Sequence, residues 1–333
     1  MLSYYILLFT MNDYWKNKKV LVTGGAGFIG SHVVDLLLQK KAEVSVITKT
    51  GNIEKISHHK KRIRIYKADL TDYIQAKRAS RNQDIILNLA SKVAGIQYNI
   101  VHPAIMFEDN VRIAQNMIKA AYENGTDRFL IVSSACIYPR NTSIPTPESE
   151  GFIGDPEPSN LGYGWAKRTA ELLGRFYNSE FGMKVAIARP YNAYGPRDNF
   201  NPEISHVIPG IIKRVFDGEN PLVVWGSGKQ TRSFLYSRDF ARGLLLTAEK
   251  YPVADPVNIG SDEEITIGDL VKLILKLTGS KIKIKFDTSK PDGQPRRSCD
   301  TKKATAKIGF TAETPLKEGL KETIEWYRQH LSS

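Results

Sequence analysis

Tyr163 and Lys167 stand four residues apart in a run that suits a helix. That spacing puts both side chains on one helical face. A Tyr hydroxyl, with a pKa near 10, is a poor acid or base at neutral pH. A Lys ammonium beside it is expected to lower that pKa. Upstream, an apolar run ends in Ser133-Ser134, where a hydroxyl can bond a substrate oxygen. Cys136 follows two residues later, and a thiol there can give or take a proton. Taken alone, Cys136 also reads as a small buried apolar side chain. Together these residues suggest proton transfer at an activated carbon or oxygen.

A second group of residues could hold a dinucleotide. Gly24, Gly25, Ala26, Gly27, Phe28, Ile29 and Gly30 follow a strand-like run and open a helix-like one. In such a turn Gly24 permits a tight bend and Gly27 lets the backbone approach a pyrophosphate. Gly30 allows the helix to pack close to the strand. The helix N-terminus offers free N–H groups and a positive dipole end. Lys167 could then hold the nicotinamide ribose as well as tune Tyr163. The next strand ends Ile47-Thr48-Lys49, with no acid to bond a ribose 2′-hydroxyl. Thr48 could donate to a 2′-phosphate and Lys49 could neutralise it. NADP(H) is therefore the expected cofactor, with NAD(H) as the alternative.

These residues need elements to position them. Apolar strand runs at 19–23, 43–48, 62–67, 84–90, 128–133 and 184–189 alternate with helical patterns at 31–40, 104–124 and 163–181. That alternation predicts an α/β fold, a Rossmann-type doubly wound parallel sheet. Residues 190–230 are rich in Pro, Gly, Asn and aromatics, which suits loops over a pocket. A strand plus helix at 234–250 and a strand at 257–259 are expected to return to the first sheet. A helix at 266–278, a strand at 281–286 and a helix at 316–330 predict a smaller, interleaved C-terminal α/β substrate domain. The expected division is a 1–17 extension, a dinucleotide domain at 18–190 plus about 233–262, and a substrate domain at 191–232 and 263–330.

Composition narrows the function classes. The chain has 333 residues, 41% hydrophobic and 25% charged, which excludes disorder, collagen and coiled coil. Its two cysteines, Cys136 and Cys299, exclude a disulfide framework and a multi-cysteine metal site, and no metal is expected. They also fit a reducing compartment. The net charge of +12 suits nucleic acid or an anionic nucleotide ligand equally. The basic runs at 16–19, 58–62 and 77–81 lack interleaved aromatics, so they read as solvated faces and nucleic acid is not expected. The apolar stretch at 2–9 is too short to span a bilayer and lacks the marks of a signal peptide. It reads as a disordered extension ahead of a second start at Met11, so a cytoplasmic protein with no membrane association is expected.

The glycine turn, Ser134 and the Tyr163–Lys167 pair, in this order, resemble the extended short-chain dehydrogenase/reductase superfamily. Finer motifs are Lys92–Ile96, Cys136-Ile137-Tyr138-Pro139, Asn199–Pro202, Ser205–Pro209, Val224–Gly228 and Ser289–Arg296. These are similar to the GDP-L-fucose synthase family over about 18–328. The resemblance implies C3 and C5 epimerisation of a GDP-4-keto-6-deoxy-mannose-type sugar, then NADPH-dependent reduction at C4. It implies that Cys136 and His206 are the acid/base pair, that Tyr163 supplies a proton to O4, and that Ser134 and Lys167 support it.

The resemblance also implies contacts. Ser134, Asn192, Arg214, Trp225, Arg232 and Asp292 match substrate-binding positions. Asp69, Leu70, Ala90, Val132, Ser133, Pro190, Asn192, Ala193 and His206 match positions that line the cofactor, beside Tyr163 and Lys167. The plainer readings are surface ion pairs for Arg214 and Arg232 and a core aromatic for Trp225. A homodimer is implied, formed by the helices at 104–124 and 163–181. Some segments depart from this family. Gly-Gly-Ala-Gly-Phe-Ile-Gly is commoner in nucleotide-sugar epimerases, including 4-epimerases that retain NAD. Ser133–Pro139, Gln230–Phe234 and Pro256–Glu263 look more like the GDP-mannose 3,5-epimerase family. That family is redox-neutral, retains NAD and uses a lysine where this chain has His206. A non-catalytic dinucleotide sensor is a distant alternative, which the intact Ser134, Tyr163 and Lys167 set disfavours.

Overall fold

The computed structural model describes residues 14–201, 205–290 and 294–331. The first strand, β1 (Lys19–Thr23), is buried on both faces after Lys19, as a central parallel strand must be. It leads into α1 (Phe28–Gln39) and β2 (Glu43–Thr48). There follow β3 (Arg64–Lys67), α2 (Tyr73–Ala79), β4 (Ile85–Asn88), α3 (Ile96–Val101), α4 (Pro103–Glu123), β5 (Arg128–Val132), α5 (Leu161–Phe181) and β6 (Lys184–Pro190). The next elements are β7 (Ala193–Tyr194), α6 (Val207–Phe216), β8 (Leu222–Trp225), β9 (Thr231–Ser233), β10 (Leu235–Tyr236), α7 (Ser237–Lys250) and β11 (Val257–Ile259). The chain closes with β12 (Glu264–Thr266), α8 (Ile267–Thr278), β13 (Ile284–Asp287), β14 (Arg296–Arg297), α9 (Lys302–Ile308) and α10 (Leu316–His330).

Seven parallel strands form one sheet in the order β11-β6-β5-β4-β1-β2-β3. The order reverses direction between β1 and β4, the point at which such sheets open a crevice beyond their carboxyl ends. Helices cover both faces, giving the expected Rossmann-type doubly wound fold. On one face α1 and α7 bury Val33, Leu37, Phe240 and Leu244 against the sheet. On the other, α4 and α5 bury Met117, Ile118 and Ala170. Gly174 of α5 has no room for a side chain, because a Cβ would meet Ile131 Cδ1 at 2.5 Å.

A second apolar cluster holds α6, α8 and α10 together through Ile208, Ile212, Leu270, Ile274, Leu320 and Ile324. Small sheets edge it: β12-β9-β14, β13-β8 and β10-β7. Two expectations change here. Residues 234–236 do not enter the first sheet; β10 pairs with β7, and β11 alone returns, beside β6. Residues 302–310, expected with the substrate part, pack on the main sheet instead. Ile308 and Phe310 are apolar and fill the space over Ile259 and the side-chain-free Gly243. At the other end, residues 14–17 are part of the folded body rather than a free extension. Trp15 is buried, and its indole donates to Glu249 Oε2 at 2.9 Å. The earlier part of the expected extension, 1–13, lies outside the described residues.

Candidate active site

The carboxyl ends of the parallel strands gather most of the predicted residues. Gly24–Gly30 follows β1, Thr48 ends β2, Asp69 and Leu70 follow β3, and Ala90 follows β4. Ser133 and Ser134 follow β5, and Pro190 ends β6. The glycine turn has the shape of a phosphate cradle. Gly24 has φ +66°, a left-handed conformation that glycine adopts without strain. A Cβ at Gly30 would strike Gly24 O at 2.1 Å, so the helix packs directly on the turn. A Cβ at Gly27 would meet only Gly24 O, at 3.1 Å, which leaves its outer side open. Gly27 caps α1 without a side-chain hydrogen bond, so the first-turn N–H groups have no side-chain cap to compete with an anion. These features fit a pyrophosphate.

The end of β2 is less free than its sequence suggested. Lys49 Nζ lies 2.8 Å from Asp69 Oδ2 and is 71% exposed. This pairing holds Asp69 below the usual carboxylate range. Thr48 Oγ1 reaches Asn52 O at 3.4 Å. A 2′-phosphate there would share Lys49 with Asp69.

Tyr163 and Lys167 occupy one face of α5, and Lys167 Nζ lies 5.4 Å from the Tyr163 ring centre. Lys167 donates to Val132 O at 2.9 Å, anchoring it to the end of β5. Ser134 caps the short turn Ala135–Ile137, accepting from Cys136 N at 3.1 Å. The Tyr163 hydroxyl lies within reach of Ser91 and Ser134. Four predicted residues thus meet at one point. The electrostatics correct one expectation. Burial holds the Tyr163 pKa above 10, a nearby Cys136 raises it further, and the Ser91 and Ser134 hydroxyls only partly offset this. Burial also pulls Lys167 down to about 8.

Below this point lies a buried ionic network that sequence reading missed. Glu171, one turn after Lys167, accepts from Ser133 Oγ at 2.5 Å. It also binds Arg189 through both oxygens, at 2.8 and 2.7 Å. Arg189 donates to the Tyr138 hydroxyl at 3.1 Å, and Tyr138 donates to Asn258 Oδ1 at 2.5 Å. Ser133 is therefore turned into the core, leaving Ser134 to face Tyr163. The i, i+4 step from Lys167 to Glu171 was the available signal. Ser91, directly after the β4 loop, gave none.

The remaining predicted residues sit around the second cluster. His206 caps α6 and is exposed. The protein around its ring pushes its pKa down, favouring the neutral form, though exposure limits the effect. Among the described residues no hydrogen bond or ion pair joins His206 to Cys136. Arg214 is held by Glu219, with Nε to Oε2 at 2.6 Å, and by Val223 O. That is the plain ion-pair arrangement. Trp225 ends β8 and is 64% exposed, with Lys290 Nζ 5.8 Å from its ring, so it is not a core aromatic. Asn192 donates to Ser233 O at 2.9 Å and Ala193 begins β7. Asp292 lies outside the described residues.

Arg232 differs from Arg214. It donates to Thr231 O and Gln294 O, both at 2.7 Å, and no carboxylate among the described residues pairs with it. Burial and the facing Arg297 bring it down to about 10. The two arginines are register partners on β9 and β14. Two cations held side by side suit a diphosphate. Arg297 also lines a small cavity with Ala135, Tyr138, Glu157 and Tyr191, next to the Ser134–Cys136 turn. Arg297 was not singled out from sequence; only strand register brings it beside Arg232.

Comparison with known proteins agrees with this geometry. Residues 20–260 match the NAD dependent epimerase/dehydratase family. The chain is 33% identical to GDP-L-fucose synthase 1 of Arabidopsis thaliana, over 97% of this chain and 96% of that protein. It superposes on a GDP-L-fucose synthetase from Naegleria fowleri bound to NADP with a TM-score of 0.81, at 28% identity and 96% coverage of each chain. It superposes on a UDP-glucose 4-epimerase from Thermotoga maritima with a TM-score of 0.85, at 29% identity over 94% of this chain and 99% of that one. The chain belongs to the NAD dependent epimerase/dehydratase family and is an enzyme of it.

Proposed function

We propose that this enzyme epimerises a GDP-4-keto-6-deoxy-mannose-type sugar at C3 and C5 and then reduces it at C4 with NADPH. The observation that carries this reading is the meeting of Ser134, Cys136, Tyr163 and Lys167 at the end of β5. A C4 ketone acidifies the hydrogens on C3 and C5, because the carbanion spreads into an enolate. Inversion then needs a proton removed from one face and one returned to the other. Cys136 is assigned one face and His206 the other, both by resemblance. Ser134 would polarise O4, and Tyr163 would supply its proton during reduction. A raised Tyr163 pKa keeps that proton on the hydroxyl until charge develops on O4. The bound dinucleotide would supply the hydride.

The residues that would hold it are Gly24–Gly30, Thr48, Lys49, Asp69, Leu70, Ala90, Val132, Ser133, Pro190, Asn192, Ala193, Tyr163, Lys167 and His206. NADP(H) is preferred because β2 ends without an acid and Lys49 stands next to it. It is also the cofactor named in the Naegleria structure. Ser134, Asn192, Trp225, Arg232 and Asp292 would hold the GDP-sugar, with Arg214 at its edge. The dinucleotide part is placed at 18–190 with about 233–262, to which 302–310 adds its packing; the sugar part comprises 191–232 and most of 263–330. A homodimer through α4 and α5 is supported by the exposed Phe107, Tyr122, Phe176 and Phe181. No helix among the described residues is long and apolar enough to cross a membrane.

The test is incubation with 4-keto and 4-hydroxy GDP-, dTDP- and UDP-sugars, with NADPH or NADH, in deuterated water, with products read by NMR. One NADPH consumed per 4-keto GDP-sugar, with deuterium at C3 and C5, is the expected result. Turnover of a 4-hydroxy sugar without net cofactor use would replace this reading by a redox-neutral epimerase, which the likeness to the Thermotoga 4-epimerase also favours. Cys136→Ser should abolish deuterium entry at C3 while leaving NADPH binding intact; undiminished entry removes Cys136 from the mechanism.

A further inference from the structure

The run at 58–62, read from sequence as a solvated basic face, is not uniformly solvated. The short helical turn Glu54–His59 folds back on α1 and brings two imidazoles to one carboxylate. His59 Nε2 lies 2.8 Å from Asp35 Oδ1, and His58 Nε2 lies 3.6 Å from the same oxygen. All three ligand atoms fall within 4.8 Å of one another. Asp35 and His59 are mostly buried, at 21% and 15% side-chain exposure, while His58 is 53% exposed. The other carboxylate oxygen is already engaged: Arg197 donates to Asp35 Oδ2 at 2.7 Å. Oδ1 is thereby directed at the two rings.

We propose that Asp35, His58 and His59 form a binding site for a divalent transition-metal ion such as Zn²⁺. Ligands about 2.1 Å from a tetrahedral zinc stand about 3.4 Å apart. The two distances to Oδ1 bracket that value, and the two imidazole ligand atoms lie within 4.8 Å of each other. Two imidazoles and one carboxylate are a borderline donor set that suits Zn²⁺, Co²⁺ and Ni²⁺ rather than Mg²⁺ or Ca²⁺. The metal would displace the proton shared by His59 and Asp35, so binding releases protons. Arg197 acts as the outer partner that fixes the carboxylate, as outer hydrogen bonds do around metal ligands. The exposed side of His58 gives an entry path and leaves a fourth position for water.

The site joins three segments with different duties. Asp35 lies on α1, whose N-terminus forms the phosphate cradle. His58 and His59 lie on the turn that follows β2, the strand ending in Thr48. Arg197 lies on the segment leading towards His206, and its carbonyl accepts from Lys55 Nζ of the same turn at 2.5 Å. A bound ion would clip these segments together and stabilise the fold by mass action. Sequence reading expected no metal from the cysteine count alone; Asp35 is remote from the His pair in the chain, and only the fold brings them together.

The test uses tag-free full-length protein carrying Cys136→Ser and Cys299→Ser, which removes both thiols as rival ligands. After dialysis against Zn²⁺, metal analysis should give one equivalent per chain. Co²⁺ should give visible d–d bands without thiolate charge transfer. His58→Ala and His59→Ala should each lower the affinity at least tenfold, and the double substitution should abolish the stoichiometric ion. His59→Gln retains a hydrogen-bond donor towards Asp35, so it loses the ion without losing the fold, as circular dichroism should verify. Arg197→Met should weaken binding by about 10–100-fold without removing a ligand. Absence of stoichiometric metal in the thiol-free protein, or an equivalent that survives the double His substitution, overturns the proposal.

Discussion

Lys167 reaches Val132 O from inside the sheet side of the molecule, and Glu171 beneath it grips Arg189 and Ser133 where neither partner of the ion pair is exposed. On the side built by α6, β8 and β9, Trp225 is 64% exposed, His206 is exposed and Arg214 is held by a neighbouring glutamate. Ser134, Tyr163 and Lys167, proposed to act at O4, thus stand next to a buried network, whereas His206 and the residues proposed for the sugar nucleotide stand on short strands and a helix start. The difference has a physical reason. Proton and hydride transfer tolerate little misplacement, so those groups need a rigid support. A diphosphate and a base can be gripped by long side chains that adjust as they bind.

The largest expected effect tests the rigid side directly. Tyr163→Phe should lower C4 reduction about 10³-fold while NADPH affinity, followed by fluorescence titration, stays within a few-fold. If reduction survives, the proton comes from elsewhere and the contrast between the two sides loses its chemical meaning. Next, Glu171→Ala should cost about 3–5 kcal/mol in denaturant unfolding, because it strands the buried Arg189. Arg214→Ala breaks a partly exposed pair and should cost about 0–1 kcal/mol. Equal losses would show that the two sides are equally rigid.

Within the adjustable side, Arg232→Ala should raise the KM for a GDP-sugar about 10–100-fold, the value of one or two charge-assisted bonds. Arg214→Ala should raise it by less, since Glu219 already occupies its guanidinium. The reverse order would return Arg214 to the centre of phosphate recognition.

A pH-dependent effect concerns Asp198. It is 6% exposed, accepts from Asn199 N at 2.7 Å, and burial pushes its carboxyl up to about 7. Between pH 4 and 7 the folded chain therefore holds a proton that the unfolded chain has lost. Stability from this group is complete below pH 4 and falls as pH rises through 7. Asp198→Asn should remove that fall. Its Tm should exceed that of the parent by a few degrees at pH 8 and match it near pH 4.

Several outcomes were legible before the fold was known. Strand and helix runs around 19–48 and 128–189 could be read because apolar periodicity and glycine punctuation are local. The Tyr163–Lys167 face could be read because helical spacing alone sets it. The end of β2 was legible in residue type but not in pairing, since Asp69 reaches Lys49 from a different strand. The expected lowering of the Tyr163 pKa left out burial, which raises it, and no local pattern encodes how deeply that hydroxyl is enclosed.

The sequence by itself determined the doubly wound sheet, the glycine cradle and the residue types at the end of β5, because each follows from short-range spacing. Only the tertiary structure decided that 234–236 pairs outside the main sheet, that Trp15 and Phe310 join the core, and that Arg297 stands beside Arg232. It also brought Glu171 to Arg189 and Asp35 to His58 and His59. Those pairings join residues remote in sequence, and burial, strand register and helix packing fix them in three dimensions.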